Sequence, residues 1–586
     1  MLQTIRDCCR SFTWNKKGNV VVLFGLAIIP IALVVGAATD YGRALIVRDR
    51  MASAADAAAL AVGSWRGLSE ADLKVKGQQF FDANFSTSKL GAAGAVEVAF
   101  AGNDIKVSVN GSVPTTFLKL ANISSIDVGA TSTVTVGMGT LEVAMALDNS
   151  GSMSGSKLSA LKTAADDLVD TLFDSAKGST KPDPIKISVV PFAAGVNVGP
   201  QYATANWMDT DSKNPYHADA QKDYGASSKL NNFDLFKSLK NSNGSSVKWA
   251  GCVEARPYPY DVTDASPTTG NPSTLFVPMF APDEPDNWTC TTGTCSSVCN
   301  SSSCSSWSAG LRYNGAPSGN KSHNNYLPDA GTTSTCGGAS NTNANWTCAN
   351  GNASCGGNNT GRKEEDAFGG LSISSNRNCK YGTSASKATV TNVSVGGISA
   401  GPNFMCTTPP LLELSDNKSK IKAKINEMVA EGATGVGEGA MWAWRTLSPG
   451  APFSEGRPYN TEDNQKVLIL MTDGVNTYYP QSHFLRSWYS IYGYVDQGHL
   501  GTTSTSSSTL AAKMNERTLE ACANIKAAGV IVYTVAFAMA NENAGLSLLQ
   551  SCASGEDRYF APDTNSDLIS AFHAIGKDIS ELRIAQ

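Results

Sequence analysis

Asp148, Ser150 and Ser152 form a D-x-S-x-S pattern directly after the apolar segment 141–147. A carboxylate and two hydroxyls at alternate positions of a tight loop present hard oxygen atoms to one point, and Gly151 allows the loop to reverse sharply. Oxygen atoms of this kind suit Mg²⁺, which takes octahedral oxygen ligands and keeps some of its water. The pattern predicts a divalent-cation site, with Mg²⁺ as the expected ion and Ca²⁺ or Mn²⁺ as alternatives.

Two further oxygen-bearing residues stand at comparable positions along the chain. Thr434 lies in the Gly-rich segment 432–437, before a predicted helix, and Asp473 follows the apolar segment 467–471. Each residue alone has an ordinary structural explanation, because Asp, Ser and Thr cap helices and Asp-Gly pairs form turns. Together they favour one shared site, although the 282 positions between Ser152 and Thr434 require a long insertion.

The elements that must position these residues alternate between strands and helices. Strands are predicted at 141–147, 185–192, 467–471 and 530–536, and helices at about 157–173, 515–528, 544–551 and 567–582. Apolar strands that alternate with amphipathic helices indicate a parallel sheet wrapped on both faces. Ligands bind beyond the carboxyl ends of such strands. The predicted fold class is therefore a doubly wound α/β domain over residues 139–582.

An insertion at about 200–410 interrupts this alternation. The segment is rich in Ser, Asn, Gly, Pro and Cys and shows little periodicity, so we expect disulfide bridges rather than a large core to hold it together. Twelve of the 14 cysteines lie at positions 252, 290, 295, 299, 304, 336, 348, 355, 379, 406, 522 and 552. A zinc site at 290–304 is the alternative, but the C-x₂-C spacing that structural zinc sites favour is absent there.

The N-terminal region predicts a membrane anchor. Residues 20–38 carry no charge, and 19 residues suffice for a helix to cross a bilayer core. A signal peptide cleaved near Thr39 is the alternative; an uncleaved anchor is favoured because the helical pattern continues into the Ala-rich segment 52–61. With the cysteine-rich remainder outside, we expect a single-pass protein of the bacterial inner membrane, with a cytoplasmic N-terminus that keeps Cys8 and Cys9 reduced.

Three regions follow from these patterns. Residues 1–64 hold the cytoplasmic tip, the anchor and its continuing helix. Residues 65–138 form a small α+β module, with a helix at 68–85 and alternating strand patterns such as Ile105, Val107 and Val109. Residues 139–582 form the α/β domain.

The five oxygen-bearing residues resemble a known binding site. Asp148 to Ser152, with Thr434 and Asp473 in the same order, are similar to the metal-ion-dependent adhesion site of von Willebrand factor A (VWFA) domains. The resemblance implies that Ser150 and Ser152 bind the ion directly and that the other three residues bind it directly or through water. The remaining coordination position would take an acidic side chain of a protein partner.

The rest of the chain resembles a narrower family, the TadE/TadG-like proteins of the Flp (tight-adherence) pilus system. The segments that carry this resemblance are KGNV at 17–20, GAATDYGR at 36–43, AADAAAL at 54–60, VPTTF at 113–117, WAGCVEARP at 249–257, NYL at 325–327, GPN at 401–403, WAWRTLSP at 442–449 and YTVAF at 533–537. One departure concerns processing. Pseudopilins cut by prepilin peptidase carry a glutamate five residues beyond the scissile glycine, whereas Leu23 follows Gly18 at that spacing, so the resemblance favours a retained anchor.

Two disulfides are predicted. Cys522 lies in the helix before the strand 530–536 and Cys552 ends the next helix, so the two can approach in a doubly wound sheet, and a similar pair recurs in TadG-like chains. Pairing of Cys252 with Cys406 would close the insertion at its base.

Several function classes are disfavoured. A net charge of −5 and the absence of a basic stripe argue against nucleic-acid binding. A nucleophile elbow fails because Met153 stands at its centre, and the segment 432–439 fits no phosphate-binding loop. The five histidines lack metal-ligand spacing and are expected at the surface. We therefore expect no enzyme but a Mg²⁺-dependent protein-binding module in pilus assembly or surface attachment, with a pilus or envelope component as partner. The alternative is a structural envelope protein without a functional metal.

Overall fold

The computed structural model describes residues 19–65, 69–85, 92–101, 104–135, 139–177, 179, 181–222, 230–284, 288–292, 306–309, 324, 326–327, 381, 384–385, 387–390, 392, 394–480 and 487–582. The chain divides into two compact units, Met1–Met138 with Gln586, and Gly139–Ala585. Cys8, Cys9, Gly18 and seven cysteines between 295 and 379 lie outside the described residues, so the predictions made for them stay predictions.

The first unit combines two helices with a small sheet. Its helices are α1 (Asn19–Ser64) and α2 (Glu70–Asn84), and its strands are β1 (Ala92–Ala101), β2 (Asp104–Pro114) and β3 (Ser125–Thr135), with a 3₁₀ turn at Leu118–Ala121. The strands pair antiparallel in the order β1-β2-β3. Alternation places Ile105, Val107 and Val109 on the buried face of β2, as their spacing predicts.

Helix α1 changes character at Gly36. Before it, apolar side chains such as Leu26, Ile29 and Val34 are 61–70% exposed. From Gly36 onward one face is buried in the core of this unit, through residues such as Met51. Among the described residues, one helix is long and apolar enough to cross a membrane, and it is this one. The predicted helix that continues from the apolar stretch into the Ala-rich run is thus present.

The second unit is built on a six-stranded sheet. Its strands are β4 (Thr140–Asp148), β5 (Ile185–Phe192), β6 (Leu412–Ser415), β7 (Asn464–Thr472), β8 (Ile531–Ala536) and β9 (Tyr559–Phe560). The spatial order is β6-β5-β4-β7-β8-β9. All pairs are parallel except β6 with β5. The predicted α/β sheet is confirmed, and the antiparallel edge strand β6 makes it mixed rather than wholly parallel.

Helices cover both faces of this sheet. They are α3 (Ser156–Ser175), α4 (Lys418–Asn426), α5 (Val436–Leu447), α6 (Ser507–Ala527), α7 (Asn543–Cys552) and α8 (Asn565–Leu582). Helices α3, α4 and α8 enclose one apolar layer with alternate residues of the central strands, while α5, α6 and α7 contribute to the other. Because β4 is buried along its whole length, its near-continuous apolar sequence follows from burial on both faces.

The described part of the insertion is mostly short elements and loops. Its helices are Asp219–Lys222 and Asn232–Lys237, its 3₁₀ turns Pro200–Thr204 and Pro272–Thr274, and its strands Leu239–Lys240, Trp288–Thr292, Ser306–Ala309, Ala388–Thr389, Ser394–Val395 and Ile398–Ser399. The remaining 3₁₀ turns of the second unit are Gly151–Met153, Val495–Gln497 and Glu556–Arg558.

The prediction that the insertion lacks a large core is wrong. Its aromatic residues are buried and continue the apolar layer over α5; they include Trp207, Phe236, Trp249, Phe276, Phe280 and Tyr381. The ring centroids of Phe276 and Trp442 of α5 lie 4.9 Å apart. These aromatic residues are widely spaced along the chain and show no period, so only tertiary packing reveals the core that they form.

Both predicted disulfides are confirmed. Cys252 and Cys406 are joined with a Cα–Cα distance of 5.7 Å, across 154 positions of sequence. Cys522 of α6 and Cys552 of α7 are joined at 5.2 Å. The first pair joins residue 252 inside the insertion to residue 406 near its C-terminal end, and the second joins two consecutive helices.

Candidate metal-binding site

The predicted site residues come from three loops at one edge of the sheet. Asp148 ends β4, Asp473 follows β7, and Thr434 lies just before α5. The amide nitrogen of Gly151 donates to the carbonyl of Gly432 at 3.0 Å, which joins the first loop to the segment that carries Thr434. Because β4 and β7 are parallel neighbours, their carboxyl ends coincide, and the structure brings the loops together as their positions imply.

Direct contacts connect three of the five residues. The Oγ atoms of Ser150 and Ser152 lie 2.9 Å apart, and Ser152 Oγ donates to Asp473 Oδ1 at 2.5 Å. Ser150 and Asp473 are buried, whereas Ser152 is exposed. The cluster therefore opens to solvent through the second serine of the pattern.

Thr434 joins the same group across Gly474. A Cβ atom built on Gly474 would stand 3.7 Å from both Ser152 Oγ and Thr434 Oγ1. The backbone of Thr434 is held by Thr477, whose amide nitrogen donates to the Thr434 carbonyl at 2.9 Å. The long insertion thus returns the chain to the sheet edge, where Thr434 Oγ1 and Ser152 Oγ both lie near Gly474.

Asp148 is held by neutral hydrogen-bond donors. Its Oδ1 accepts from the Ser150 amide at 2.6 Å, and its Oδ2 accepts from Thr472 Oγ1 at 2.5 Å. Complete burial raises the pKa of Asp148 to about 6, with the negative charge of Asp473 adding to the rise and the two hydrogen bonds opposing it. Burial therefore makes the ionised form of Asp148 less favourable than it is in water, and positive charge nearby would favour it.

Lys157 supplies one positive charge at the edge of the cluster. Its Nζ lies 2.6 Å from Asp473 Oδ2, and its side chain is 34% exposed. Lys157 lies near the start of α3, so the helix that follows the first loop carries the ammonium to Asp473. Lys157 pairs with Asp473, whereas Asp148 forms no ion pair among the described residues, so the cluster has one fixed cation for its two carboxyl groups.

The donor set fits a small divalent cation. Neighbouring ligands of octahedral Mg²⁺, with bonds of about 2.1 Å, lie about 3.0 Å apart. The 2.9 Å between Ser150 Oγ and Ser152 Oγ agrees with that spacing. Ser150, Ser152, Thr434, Asp148 and Asp473 would hold such an ion, with all donors hard oxygens. Within the described ranges, no group of three or more His, Cys, Asp or Glu side chains could hold a metal; this cluster has two carboxylates, and hydroxyls provide the remaining donors.

Sequence reasoning missed two residues of this cluster, Thr472 and Lys157. Thr472 directly precedes Asp473, so its place at the end of β7 was available from the predicted strand. The contact between Lys157 and Asp473 joins residues 316 positions apart, and no local pattern indicates it.

The histidine prediction is wrong for His217. This residue is completely buried, its Nδ1 lies 2.8 Å from Asp209 Oδ2, and its Nε2 accepts from the Asn232 amide at 2.9 Å. The insertion core encloses this pair, and its hydrogen bonds satisfy both ring nitrogens, so it is a structural group. His323 and His483 lie outside the described residues.

The aromatic residues between 478 and 494 pack mainly inside the domain. Tyr478, Tyr489, Tyr492 and Tyr494 are buried, and Tyr479 and Trp488 are half-buried with ring centroids 4.7 Å apart. Tyr489 donates to Glu254 of the insertion at 2.5 Å. The structure thus favours packing of these aromatic residues within the domain over an exposed aromatic contact surface.

Comparison with known proteins identifies the N-terminal region. Residues 18–64 match the family described as "Putative Flp pilus-assembly TadE/G-like". That range covers the apolar segment of α1 and its packed continuation. Among curated proteins, none matches the sequence.

Solved structures similar to the chain are distant. The pilus adhesin SpaC from Lactobacillus rhamnosus GG has 9% identity and a TM-score of 0.29, covering 83% of this chain and 34% of its own. The vWF domain of the type V pili tip protein Mfa5 from Porphyromonas gingivalis has 9% identity and a TM-score of 0.29, covering 76% and 97%. A von Willebrand factor type A protein from Catenulispora acidiphila has 10% identity and a TM-score of 0.24, covering 84% and 50%.

The chain spans about a third of the length of SpaC. At these TM-scores the likenesses carry no argument, so the fold assignment rests on the strand order and on the loops that meet at the sheet edge. The chain therefore has an N-terminal region similar to the TadE/G-like family, followed by a mixed, mostly parallel α/β domain.

Proposed function

We propose that this protein is a membrane-anchored binding module that holds an acidic group of a protein partner through Mg²⁺, in Flp-type pilus assembly or surface attachment. The observation that carries the proposal is the convergence of Ser150, Ser152, Asp473, Asp148 and Thr434 at one sheet edge, with oxygen spacing suited to a small divalent cation. The role is binding, without a chemical step.

The charge balance of the cluster supports this role. Lys157 pairs with Asp473, and Asp148 has no ion-pair partner among the described residues. A bound divalent ion would supply the missing positive charge and a coordination position open to a carboxylate from outside. Ser152, which is exposed, lies where such a carboxylate could approach.

The proposed location is the bacterial inner membrane, with a cytoplasmic N-terminus and the α/β domain in the periplasm. The exposed apolar half of α1 supports a single-pass anchor. The disulfides Cys252–Cys406 and Cys522–Cys552 support an oxidising compartment for the second unit. The proposed partner is a pilus or envelope component.

Thermal unfolding of the full chain in detergent, with Mg²⁺ or with EDTA, tests the metal. A bound ion stabilises the folded state by mass action, by about 2.7 kcal/mol at a free concentration a hundred times the dissociation constant. We expect a Mg²⁺-dependent rise in the unfolding temperature of the wild type. Asp148→Ala and Ser150→Ala should each abolish that rise, with isothermal titration reporting the lost affinity.

Ser159→Ala is the matched control, since Ser159 is an exposed serine of α3 outside the cluster. It should respond to Mg²⁺ like the wild type. If the wild type gains no stability and takes up no Mg²⁺, the proposal fails and the structural alternative without a functional metal stands. Equal Mg²⁺ affinity in wild type, Asp148→Ala and Ser150→Ala would place the ion elsewhere.

A further inference from the structure

An apolar turn in the first unit lies against the end of the membrane-crossing segment. The turn comprises residues 117–123 between β2 and β3 and contains the 3₁₀ helix Leu118–Ala121. Phe117 is 42% exposed, Leu120 81% and Ile123 47%. Three large apolar side chains in seven residues are thus open on one small turn.

Asp40 of α1 holds this turn in place. Its carboxylate accepts from the backbone amides of Thr116, Phe117 and Leu118, at distances of 2.8–3.1 Å. Asp40 is 2% exposed, so these amides replace water around the charge. Arg43, one helical turn further, donates to Thr116 Oγ1 at 3.0 Å.

Gly36 allows the close approach of the helix to the turn. A Cβ atom at Gly36 would stand 2.4 Å from Phe117 Cβ, a distance that no side chain tolerates. Gly36, Asp40 and Arg43 therefore form a docking face for Phe117 and its neighbours, which explains the two segments GAATDYGR and VPTTF together. These contacts fix the position of the turn along α1, next to residues 36–43.

That position is the end of the uncharged segment 20–38. Side chains before Gly36 are exposed and apolar, and the first charges after the segment are Asp40 and Arg43. Tyr41 is 59% exposed at the same level, an aromatic residue where membrane–water interfaces favour one. If residues 20–38 cross the bilayer, the 117–123 turn lies at the bilayer surface.

We propose that the 117–123 turn inserts into the outer face of the same bilayer that α1 crosses, with Leu120, Ile123 and Phe117 among the lipid headgroups and upper acyl chains. The inference rests on the membrane anchorage proposed above. Lys119 is exposed on the same turn and suits the lipid phosphates. The turn gives the first unit a second attachment to lipid, independent of the metal site, and restricts rotation of α1 about its own axis.

Depth-dependent fluorescence quenching tests this contact. The full chain is placed, one copy per disc, in nanodiscs of phosphatidylcholine and phosphatidylglycerol. A fluorescent amino acid replaces Leu120, Ile29 or Val75. Nitroxides near the headgroup end and near the methyl end of the acyl chains serve as the shallow and the deep quencher. Ile29 and Val75 are matched in exposure, at 61% and 58%.

The two control positions lie on either side of the turn along the axis of α1. Position 29 lies within the apolar segment and reports whether the anchor is in the bilayer. Position 75 lies on α2, which packs near Val62, about 39 Å along α1 from Gly36 at 1.5 Å per residue. We expect the shallow nitroxide to quench position 120 at least roughly half as strongly as the deep nitroxide quenches position 29, and position 75 to stay at background with both.

Quenching at 29 without quenching at 120 would overturn the inference and leave the anchor intact, because the turn would then face water or await a protein. Absence of quenching at both would overturn the anchor and the inference together. A probe at position 123 repeats the measurement on the same turn in case the change at 120 disturbs it. Quenching at 123 that Leu120→Asp reduces at least roughly twofold supports the insertion.

Discussion

Strand β4 carries a buried carboxyl group near each end, and the two groups are stabilised in different ways. Glu142, near the start, accepts from Lys466 Nζ at 2.5 Å and from the guanidinium of Arg457 at 3.0 Å. Asp148, at the end, forms no ion pair among the described residues and is held by Thr472 and the Ser150 amide. Both carboxylates are completely buried.

The difference separates a carboxylate that has cations inside the fold from one that has none among the described residues. Glu142 pairs with two cationic side chains inside the fold, so no ion from solution is required to balance its charge. We call this edge of the sheet the closed edge. Asp148 accepts hydrogen bonds but forms no ion pair among the described residues. The neighbouring Asp473 pairs with Lys157. Under the proposed function, an external cation would supply the positive charge that Asp148 lacks. Three measurements test this difference between Glu142 and Asp148.

The largest effect is expected at the closed edge. Glu142→Gln leaves the buried Lys466 ammonium without its counter-charge and should lower the free energy of unfolding by about 3–5 kcal/mol. Chemical denaturation of the full chain in detergent measures this loss, which should be the same in Mg²⁺ and in EDTA. The double variant Glu142→Leu, Lys466→Met should recover much of it. A loss that appeared only with Mg²⁺ would erase the contrast.

A smaller effect is expected from the pH response of Asp148. Its pKa is about 6 in the folded protein and 3.8 ordinarily, so its protonation stabilises the folded state fully below about pH 4, and this is lost as pH rises through 6. In EDTA, lowering the pH from 7 to 5 should stabilise the wild type relative to Asp148→Asn by about 1.3 kcal/mol.

The comparison with Asp148→Asn cancels the titration of other groups. Saturating Mg²⁺ should suppress the gain, because a cation favours the ionised carboxylate. An equal pH response in the wild type and in Asp148→Asn would show that Asp148 is already neutralised, as Glu142 is.

The smallest effect is expected at Lys157. Lys157→Met removes the ammonium that pairs with Asp473 and should raise Mg²⁺ affinity about fivefold, about 1 kcal/mol, because one competing positive charge is lost. Isothermal titration measures the affinity. Lys162→Met, on the same helix α3 and directed to the Asn426 carbonyl, is the matched control and should leave the affinity unchanged. A weaker affinity in Lys157→Met would mean that the lysine positions Asp473 for the ion.

The amino-acid sequence was enough to predict the strands, the helices and the sheet edge at which the candidate site lies. Apolar runs of strand length, amphipathic helices and the uncharged segment 20–38 are local patterns, and each is set by a period of a few residues. Because parallel strands end at a common edge, the positions of Asp148 and Asp473 after β4 and β7 already implied proximity. The predicted pairing of Cys522 with Cys552 combined the nearness of consecutive helices on one sheet with a similar pair in the TadG-like chains that this sequence resembles.

The ion pairs between distant parts of the chain became visible only in the tertiary structure. The pairs Lys157–Asp473 and Lys466–Glu142 join residues more than 300 positions apart, and lysines are too common for spacing to single them out. The core of the insertion, the burial of His217 and the seat of the 117–123 turn on Gly36 and Asp40 likewise arise from long-range packing. Local patterns report which face of an element is buried, whereas the partner on that face depends on how the whole chain closes.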